Sequence, residues 1–491
     1  MGLSHHWKIE SLAKKLLEGE KREFEPYYAG KLHIALIFLG TYQVGMSNLG
    51  FLTVHRIAAQ TQDIAVERFF FPLQTNFVHN PPFYSFETRR PLGDFDVLAF
   101  SISFEGDFPL IPKILKPLGI PIRSEKRQSK RFPLLLAGGA AVCSNSQALS
   151  EIFDILVPGE AEPIFGKMLE VMLSEWTNPA NFAELPGIWV PQKKNSPNPS
   201  LPPHPVGHDP AYSHYVSKNN VFNGSPLLEI MRGCRRACKF CLARSIYFPP
   251  RIVSAITFSR FVEKWEKFGE IGLIAPSLFD HPEIQEILEI LVEKKFRIHN
   301  SSVKWESLND KILTCLRQLG VKSVTLAPES GSALLRENMG KPLSEDRFFD
   351  TLGKIWLCGF EGVKMYFMAG LPGETDQDLE ETVNFIVKSA ATVPPSRFLS
   401  INFSGFVPKS KTEWSEEEIL PAFEIKRRFS LLRSKIAKKC PEVRLKFDSP
   451  DEISRQAFFA KTGPELAKIF EGEIEKCISE KVFSDFSESD C

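Results

Sequence analysis

The chain has 491 residues, a length typical of about three domains. Lysine and arginine together number 60, as do aspartate and glutamate, so the net charge of zero excludes a global attraction to nucleic acid. The net charge does not exclude a local basic face on the surface. The longest apolar runs, near 34–39 and 133–143, are too short to span a bilayer, so no membrane association is expected. Nine cysteines with no secretory signal predict a reducing, cytoplasmic location.

The first 175 residues predict a charged helical lead and then an α/β domain. The lead covers 1–30, and 31–175 alternate apolar strands with helical stretches. In chain order these stretches are HIALIFLG, GMSNLGFLTVHRIAA, FDVLAFSIS, FPLLLAGGAA and FDILVPGEAEPIFGKMLEVML. Strand–helix alternation in this order predicts a Rossmann-like parallel sheet flanked by helices.

The rest of the chain predicts a linker, a second α/β domain and a tail. Residues 176–222 are rich in proline, asparagine and serine, which favours a linker. Strands and helices alternate again over 223–412. Residues 413–491 are polar and predict a small, mainly helical carboxyl-terminal region.

Three cysteines stand close together at the start of the second α/β domain. Cys234, Cys238 and Cys241 form C-x3-C-x2-C after the apolar run 227–231, and Phe240 precedes the third. Three thiolates on one loop can hold three irons of a 4Fe–4S cube and leave the fourth iron open to a small molecule. Cationic neighbours favour the thiolate form. Those between the cysteines are Arg235, Arg236 and Lys239.

A structural zinc loop is the alternative for these cysteines. Structural zinc sites normally use four protein ligands. No histidine lies in the loop, and Cys143 and Cys315 are far away in the sequence. The upstream His204, His208 and His214 can supply a fourth ligand only by folding back. The spacing therefore favours the iron–sulfur cluster over zinc.

Residues 227–244 resemble the cluster loop of the radical S-adenosylmethionine (radical SAM) superfamily, which places C-x3-C-x-aromatic-C after the first barrel strand. The resemblance implies a partial (β/α)6 barrel over 223–412. It also implies that SAM chelates the open iron and is cleaved by one electron to methionine and a 5′-deoxyadenosyl radical.

The amino-terminal domain resembles the cobalamin-binding domains that precede some radical SAM barrels. The resemblance is closest to a little-characterised group, and it rests on a glycine turn, a Glu-Arg pair, a Gly-Gly turn and a Gly-Glu-x-Glu turn. In this chain these are Gly45–Gly50, Glu67-Arg68, Gly138-Gly139 and Gly159–Glu162. Glycine-rich turns at the carboxyl ends of parallel strands are where ligands dock in open α/β sheets.

One departure affects cobalamin. Domains that ligate cobalt with protein carry D-x-H-x-x-G after the first strand, and this chain has Gly40–Gly45 there without a histidine. His33 and His55 are interpreted as packing or surface residues rather than metal ligands. Bound cobalamin would therefore lack the usual lower ligand, or the domain keeps the fold without the cofactor.

The resemblance also implies SAM-binding residues at the ends of later barrel strands. Glu329 and Ser330 follow a strand whose end faces SAM in the family. Serine and glutamate at a strand-to-helix turn also cap helices well, and the two roles are compatible. Arg336 and Lys341 are candidates for the methionine carboxylate, and Lys409 for SAM or substrate. The remaining candidates are Phe240 in the cysteine loop, Ser277 in place of the family's Gly-Gly-Glu, and Gly370 and Glu374 in a G-x-P-G-E-T-like turn near the adenine.

These observations predict a radical SAM enzyme of unidentified substrate. The alternatives are a cobalamin-dependent radical SAM methyltransferase and a non-catalytic iron–sulfur or redox-sensing module. Methylthiolation is disfavoured, because the amino-terminal domain carries only Cys143 where three more cluster cysteines are usual. The expected partners are a small-molecule or RNA substrate and an electron donor such as flavodoxin or ferredoxin.

Overall fold

The computed structural model describes residues 2–72, 83–127, 132–193, 204–207, 209–300 and 305–472. The chain divides into two compact units. The first unit comprises 1–204, 211–227 and 461–491, and the second comprises 205–210 and 228–460. The five-part division predicted from sequence stays a prediction.

The first unit is built on a parallel sheet. Among the described residues it contains the strands β1 Glu20–Arg22, β2 Leu32–Leu39, β3 Ile64–Phe71, β4 Val97–Ser101, β5 Leu134–Gly138, β6 Ile155–Val157 and β7 Tyr215–Ser217. Its helices are α1 Gly2–Glu18, α2 Tyr42–Gly45, α3 Leu49–Ala59, α4 Leu110–Leu115, α5 Ala140–Ser144, α6 Phe165–Glu175 and, near the carboxyl terminus, α16 Leu466–Glu471.

The strand order of this sheet is β3-β2-β4-β5-β6, and each neighbouring pair is parallel. The order matches the flavodoxin-like doubly wound arrangement, in which the chain reverses direction across the sheet at the end of its first strand. That switch point lies between β2 and β4. The predicted Rossmann-like sheet is confirmed.

Two features of the first unit were not predicted. Strand β3 is buried along its whole length. Strand β7 lies inside the segment predicted as a linker, where it pairs antiparallel with β1.

The second unit alternates strands with helices. Its strands are β8 Leu227–Glu229, β9 Met231–Arg232, β10 Arg251–Ile252, β11 Glu270–Ile274, β12 Arg297–Asn300, β13 Ser323–Glu329, β14 Gly362–Ala369, β15 Phe398–Gly405 and β16 Arg444–Phe447. Its helices are α7 Leu242–Tyr247, α8 Ala255–Trp265, α9 Ile284–Glu293, α10 Asp310–Gln318, α11 Ala333–Asn338, α12 Glu345–Leu357, α13 Asp376–Ala390, α14 Ala422–Lys439 and α15 Pro450–Lys461.

The barrel strands form two sheets with the orders β8-β11-β12 and β13-β14-β15-β16. Strands β13 to β16 are parallel to their neighbours, so their carboxyl ends share one edge. This open barrel confirms the predicted fold class. Strand β16 continues the sheet beyond the expected last strand, within the region predicted to be mainly helical. No helix in the described ranges is both long and apolar enough to cross a bilayer.

Candidate functional site

The cysteine loop is closed at its base by two short strands. Strand β9 pairs antiparallel with β10, which brings the chain back after residue 250. Gly233 opens the loop with φ of 81°, and a Cβ there would lie 2.2 Å from the carbonyl oxygen of Tyr247. Only glycine fits this approach. Arg232 donates two hydrogen bonds to the Glu229 carboxylate, at 2.8 and 2.7 Å, and ties the loop to β8.

The three cysteines lie on this loop as thiols rather than disulfides. Cys234 is buried, and Cys238 and Cys241 are half-buried. The backbone N–H of Arg236 points at the Cys234 sulfur, 3.4 Å away. Such a donor suits a thiolate ligand, so the donor chemistry fits an iron–sulfur cluster. In the described ranges, no three histidine, cysteine, aspartate or glutamate side chains are gathered to hold a metal ion. The ligand roles stay a prediction.

An apolar cluster supports the loop from below. Phe240 packs against buried Leu335, Met339, Leu371, Phe406 and Trp414. The backbone N–H of Lys239 donates to the Met339 carbonyl at 2.9 Å, and that of Trp414 donates to the Lys239 carbonyl at 3.3 Å. The middle of the loop is therefore held by α11 and by the segment after β15. Trp414 was missed from sequence because it lies outside every recognised motif.

One cation between the cysteines has a carboxylate partner. The guanidinium of Arg236 donates to both oxygens of Asp280, at 3.0 and 2.8 Å. These hydrogen bonds raise the pKa of Arg236 above its usual range. The Ser277 hydroxyl donates to the same carboxylate at 2.7 Å. Ser277 is thus engaged with Asp280, which no sequence motif singles out. The predicted contact of Ser277 with SAM stays a prediction.

The candidates at the end of β13 are held by one another. Glu329 has φ of 67° and accepts a hydrogen bond from Lys341 at 2.6 Å. Arg336 is buried and donates to the carbonyls of Ser330 and Gly331 and to Glu345. Because Arg336 and Lys341 already have these partners, their predicted contact with the methionine carboxylate would require rearrangement.

The turn after β14 holds its own carboxylate. Glu374 is buried and accepts hydrogen bonds at 2.6 Å from the Gly370 N–H and from Arg428 on α14. Burial raises the pKa of Glu374 to about 7, although both donors oppose the shift. Gly370 has φ of 81°, which suits a glycine. The Glu374 carboxylate is therefore held by its own turn and by α14, and a contact of this turn with adenine stays a prediction. Lys409 lies on the supporting segment, where its carbonyl accepts from the Thr412 hydroxyl at 2.7 Å.

In the first unit, the loop after β2 turns its aromatic side chain inward. Tyr42, on α2, is buried, and its hydroxyl lies 2.7 Å from Glu20 and 2.9 Å from Ser217. Nearby, Asn48 caps α3 and donates to the Ser103 hydroxyl at 3.0 Å across the switch point. Gly139 has φ of 115°, and a Cβ there would lie 2.5 Å from the Ile102 carbonyl oxygen. These loops form the carboxyl edge where such folds bind ligands.

The histidines of this unit lie in different surroundings. His33 is half-buried on β2, and its backbone N–H donates to Asp96. His55 is fully buried, with its Nδ1 3.0 Å from the Nε2 of His214 and the two rings stacked. Burial lowers the pKa of both paired rings well below the usual value.

This pair predicts acid sensitivity of the first unit. Since both rings have a lower pKa folded than unfolded, the unfolded chain binds more protons, and stability falls as pH drops below about 6.5. Two such groups give a slope of up to about 2.7 kcal/mol per pH unit. Urea unfolding at pH 7.5, 6.5 and 5.5 measures it. His214→Gln should reduce the difference in bound protons between the unfolded and folded states by about one, and so make the dependence of stability on pH less steep. An unchanged slope would contradict the conclusion that His214 is a source of the acid sensitivity.

Comparison with known proteins agrees with this arrangement. Residues 228–386 match the model of the radical SAM superfamily, and residues 50–191 match that of the amino-terminal region of radical SAM proteins. The uncharacterized protein MJ0966 of Methanocaldococcus jannaschii is 28% identical over 89% of this chain and 90% of its own length. The tRNA-2-methylthio-N(6)-dimethylallyladenosine synthase of Petrotoga mobilis is 22% identical over 40% of this chain and 46% of its own.

Solved structures share the fold. The radical SAM methyltransferase TsrM of Kitasatospora setae, with cobalamin and a 4Fe–4S cluster bound, has a TM-score of 0.54 at 14% identity, over 80% of this chain and 75% of its own. The cobalamin-dependent radical SAM enzyme OxsB has a TM-score of 0.52 at 15% identity, over 74% and 53%. The superfamily, whose members include methyltransferases and methylthiotransferases, uses a 4Fe–4S cluster and SAM. With its cysteine loop at the first barrel strand, this chain belongs to the radical SAM superfamily as a member with an amino-terminal α/β domain.

Proposed function

We propose that the chain is a radical SAM enzyme, which cleaves SAM reductively at a 4Fe–4S cluster and uses the 5′-deoxyadenosyl radical on a substrate not yet identified. The observation that carries the proposal is the cysteine loop, anchored at both ends and supported from below at the first barrel strand. When bound, the cluster and SAM would supply the electron and the radical.

The surrounding residues have three tasks in this function. Cys234, Cys238 and Cys241 would hold three irons. The apolar cluster beneath Phe240 keeps water away from that side of the loop. Asp280 offsets the charge of Arg236. Since a positive neighbour raises the potential of a cluster and so opposes formation of a strong reductant, this pairing favours SAM cleavage. A low-potential donor such as flavodoxin or ferredoxin would supply the electron.

The decisive experiment is SAM cleavage after anaerobic reconstitution and reduction with dithionite. The wild-type chain should form 5′-deoxyadenosine, and Cys238→Ala should lower the yield to background and reduce bound iron, because two thiolates cannot hold the cube. Cys358→Ala is the matched control, since Cys358 is half-buried on the far end of α12 and off the loop; it should keep both. An intact cluster that forms no 5′-deoxyadenosine would instead support a redox-sensing module.

A second candidate function is cobalamin-dependent methyl transfer. The strand order of the first unit favours it, because the switch point between β2 and β4 is a ligand site in this fold. Tyr42 occupies the position of the usual histidine, and its hydroxyl forms hydrogen bonds with Glu20 and Ser217. These residues fit a cobalamin without a lower protein ligand and do not fit a histidine-ligated one.

Spectroscopic titration with hydroxocobalamin tests this candidate. Retention of about one cobalamin per chain, with a spectrum lacking histidine ligation, would support methyl transfer. A chain that retains no cobalamin after desalting would exclude it and leave the radical SAM proposal untouched.

A further inference from the structure

The open face of the β13–β16 sheet carries a row of cations. The helices cover the opposite face, where Phe367 lies 6.1 Å from Phe385 of α13 and Phe447 lies 5.1 Å from Phe429 of α14, measured between ring centroids. Side chains alternate between the faces along a strand. The open face therefore carries Lys364, Tyr366 and Met368 on β14, Ser400 and Asn402 on β15, and Arg444 and Lys446 on β16.

The strand register sets these side chains in two rows. Lys364 pairs with Ser400, which pairs with Arg444. One step further, Tyr366 pairs with Asn402, which pairs with Lys446. Since neighbouring strands lie about 4.8 Å apart, the cations at the two ends of the first row are roughly 10 Å apart at the backbone.

These cations are solvent-exposed and not neutralised by close carboxylates. Lys364, Arg444 and Lys446 are all exposed, and none forms an ion pair within 4.0 Å in the described ranges. Asp448 is near enough to Lys446 for the lysine to act on its pKa, but burial dominates and raises it. The four strands carry one carboxylate, Glu329, which Lys341 already holds. The face therefore has a local positive charge that the neutral composition of the chain conceals.

The same face presents aromatic rings and an amide. Tyr366 is 40% exposed and lies in the row of Asn402 and Lys446. Arg444 sits 4.5 Å from the ring centroid of Phe398. Cations that contact phosphate, with an exposed aromatic ring that can stack on a base, are the elements of single-strand nucleic-acid recognition. An amide can read a base edge.

The upper end of this face reaches the cysteine loop. Met368 packs against the same apolar cluster as Phe240. At about 3.3 Å per residue, Tyr366 lies roughly 7 Å and Lys364 roughly 13 Å further down β14. A ligand on this face would extend from the cationic rows toward the cysteines.

We propose that the open face of β14, β15 and β16 binds a nucleotide of the substrate, with Lys364, Arg444 and Lys446 on phosphate and Tyr366 stacked on the base. The role of this nucleotide in the reaction rests on the proposed function, whereas the binding test below is independent of that function. The nucleotide can come from an RNA strand, whose target base would turn into the barrel, or from a free mononucleotide.

Fluorescence anisotropy of the anaerobically reconstituted full chain tests the proposal. The probe is a labelled 20-nucleotide single-stranded RNA of mixed sequence, and the competitors are AMP, CMP, GMP and UMP. We expect log Kobs to fall linearly with log[KCl], and Lys364→Gln with Lys446→Gln to reduce that slope by about 1.4, or 0.7 per lost phosphate contact. Tyr366→Leu should weaken binding about tenfold with the slope unchanged.

The matched control is Lys426→Gln with Lys438→Gln, which removes the same charge from exposed positions of α14 on the other side of the sheet. It should leave the slope unchanged. A second probe, a fluorescently labelled mononucleotide titrated directly, covers the case without RNA binding: if it binds and the RNA does not, a free nucleotide is the source. The proposal is overturned if neither probe binds, or if the control variant lowers the salt slope as much as the Lys364 and Lys446 substitutions do. It is also overturned if polyglutamate binds, is weakened equally by the lysine substitutions, and is unaffected by Tyr366→Leu. RNA binding by a chain that never forms 5′-deoxyadenosine would sink the radical SAM proposal alone.

Discussion

Replacing Arg68 by methionine is expected to lower the free energy of unfolding of the first unit by about 3–5 kcal/mol. Arg68 lies in the middle of β3 with a fully buried side chain. Its guanidinium donates to both oxygens of Glu20, at 2.9 Å each, and to Glu87 at 2.5 Å. Although burial alone would lower the pKa of Arg68, the two carboxylates raise it well above the usual value.

The size of the effect follows from the charges left behind. Glu20 has a second cation, Arg22, at 3.4 Å, so Arg22 and Arg68 together balance Glu20 and Glu87. In the Arg68→Met variant, the buried Glu87 carboxylate still accepts the hydrogen bond from the backbone N–H of residue 68, but it loses its cation. An uncompensated buried charge is far more costly than a missing apolar contact. Methionine keeps much of the volume, so charge rather than a cavity dominates the loss.

Two further variants separate charge from packing. Adding Glu20→Gln and Glu87→Gln to Arg68→Met should recover about half of the lost stability, because no isolated carboxylate then remains buried. Arg427→Met is the matched control: its partners Asp376 and Glu424 are exposed or half-buried, so far less stability should be lost than with Arg68→Met. Urea unfolding and hydrogen exchange of the β2 and β3 amides measure both. A triple variant no more stable than Arg68→Met would contradict a charge-based origin.

Arg68 also shows why sequence analysis located some strands and missed others. Strands β2, β4 and β5 are almost wholly apolar, apart from His33 near the start of β2 and Ser101 at the end of β4, and such runs predict buried parallel strands. In β3, Glu67 and Arg68 interrupt the run, and only their distant partners make them compatible with burial. Glu67 accepts from the Thr88 hydroxyl at 2.7 Å. Pairing between residues far apart in sequence is invisible to a local pattern.

The candidate site divides in the same way. The cysteine loop was predictable because its three thiols lie within eight residues of one another. Asp280 and Trp414 were not, because each reaches the loop from a separate element through the fold. Strand β16 was missed because it is short, and alternating Arg444 and Lys446 give it a polar appearance. A polar segment of this kind is usually interpreted as a solvated surface loop, whereas Arg444 and Lys446 lie on the open face of the barrel sheet.

Gly233→Ala is expected to remove most of the cluster and of the 5′-deoxyadenosine yield. Gly233 has φ of 81°, a conformation that costs an L-residue about 1–2 kcal/mol. The added Cβ would lie 2.2 Å from the Tyr247 carbonyl oxygen and 3.2 Å from that of Pro249. Because both neighbours are backbone atoms, no side-chain rotation relieves the contact, and overpacking adds about 1–3 kcal/mol.

That strain falls where the loop is closed. Tyr247 ends α7, and Arg251 binds its carbonyl at 3.0 Å from the pairing strand β10. Moving the Tyr247 carbonyl displaces the base of the loop. Cys234, which directly follows Gly233, would be displaced with it. A cluster held by three thiolates tolerates little misplacement, since each ligand must lie on its iron. Iron content and SAM cleavage should therefore fall together.

Gly359→Ala isolates the steric component of this effect. Gly359 has φ of 80°, nearly the same as Gly233, but a Cβ there meets no atom within 4 Å. It should lose only the conformational cost, about 1–2 kcal/mol of stability, and keep wild-type iron. Equal iron loss in both variants would mean that global destabilisation, not the closure at Tyr247, governs cluster binding. Full iron with lost SAM cleavage in Gly233→Ala alone would instead place the requirement at the open iron, where a small displacement of Cys234 misaligns the sulfonium for electron transfer.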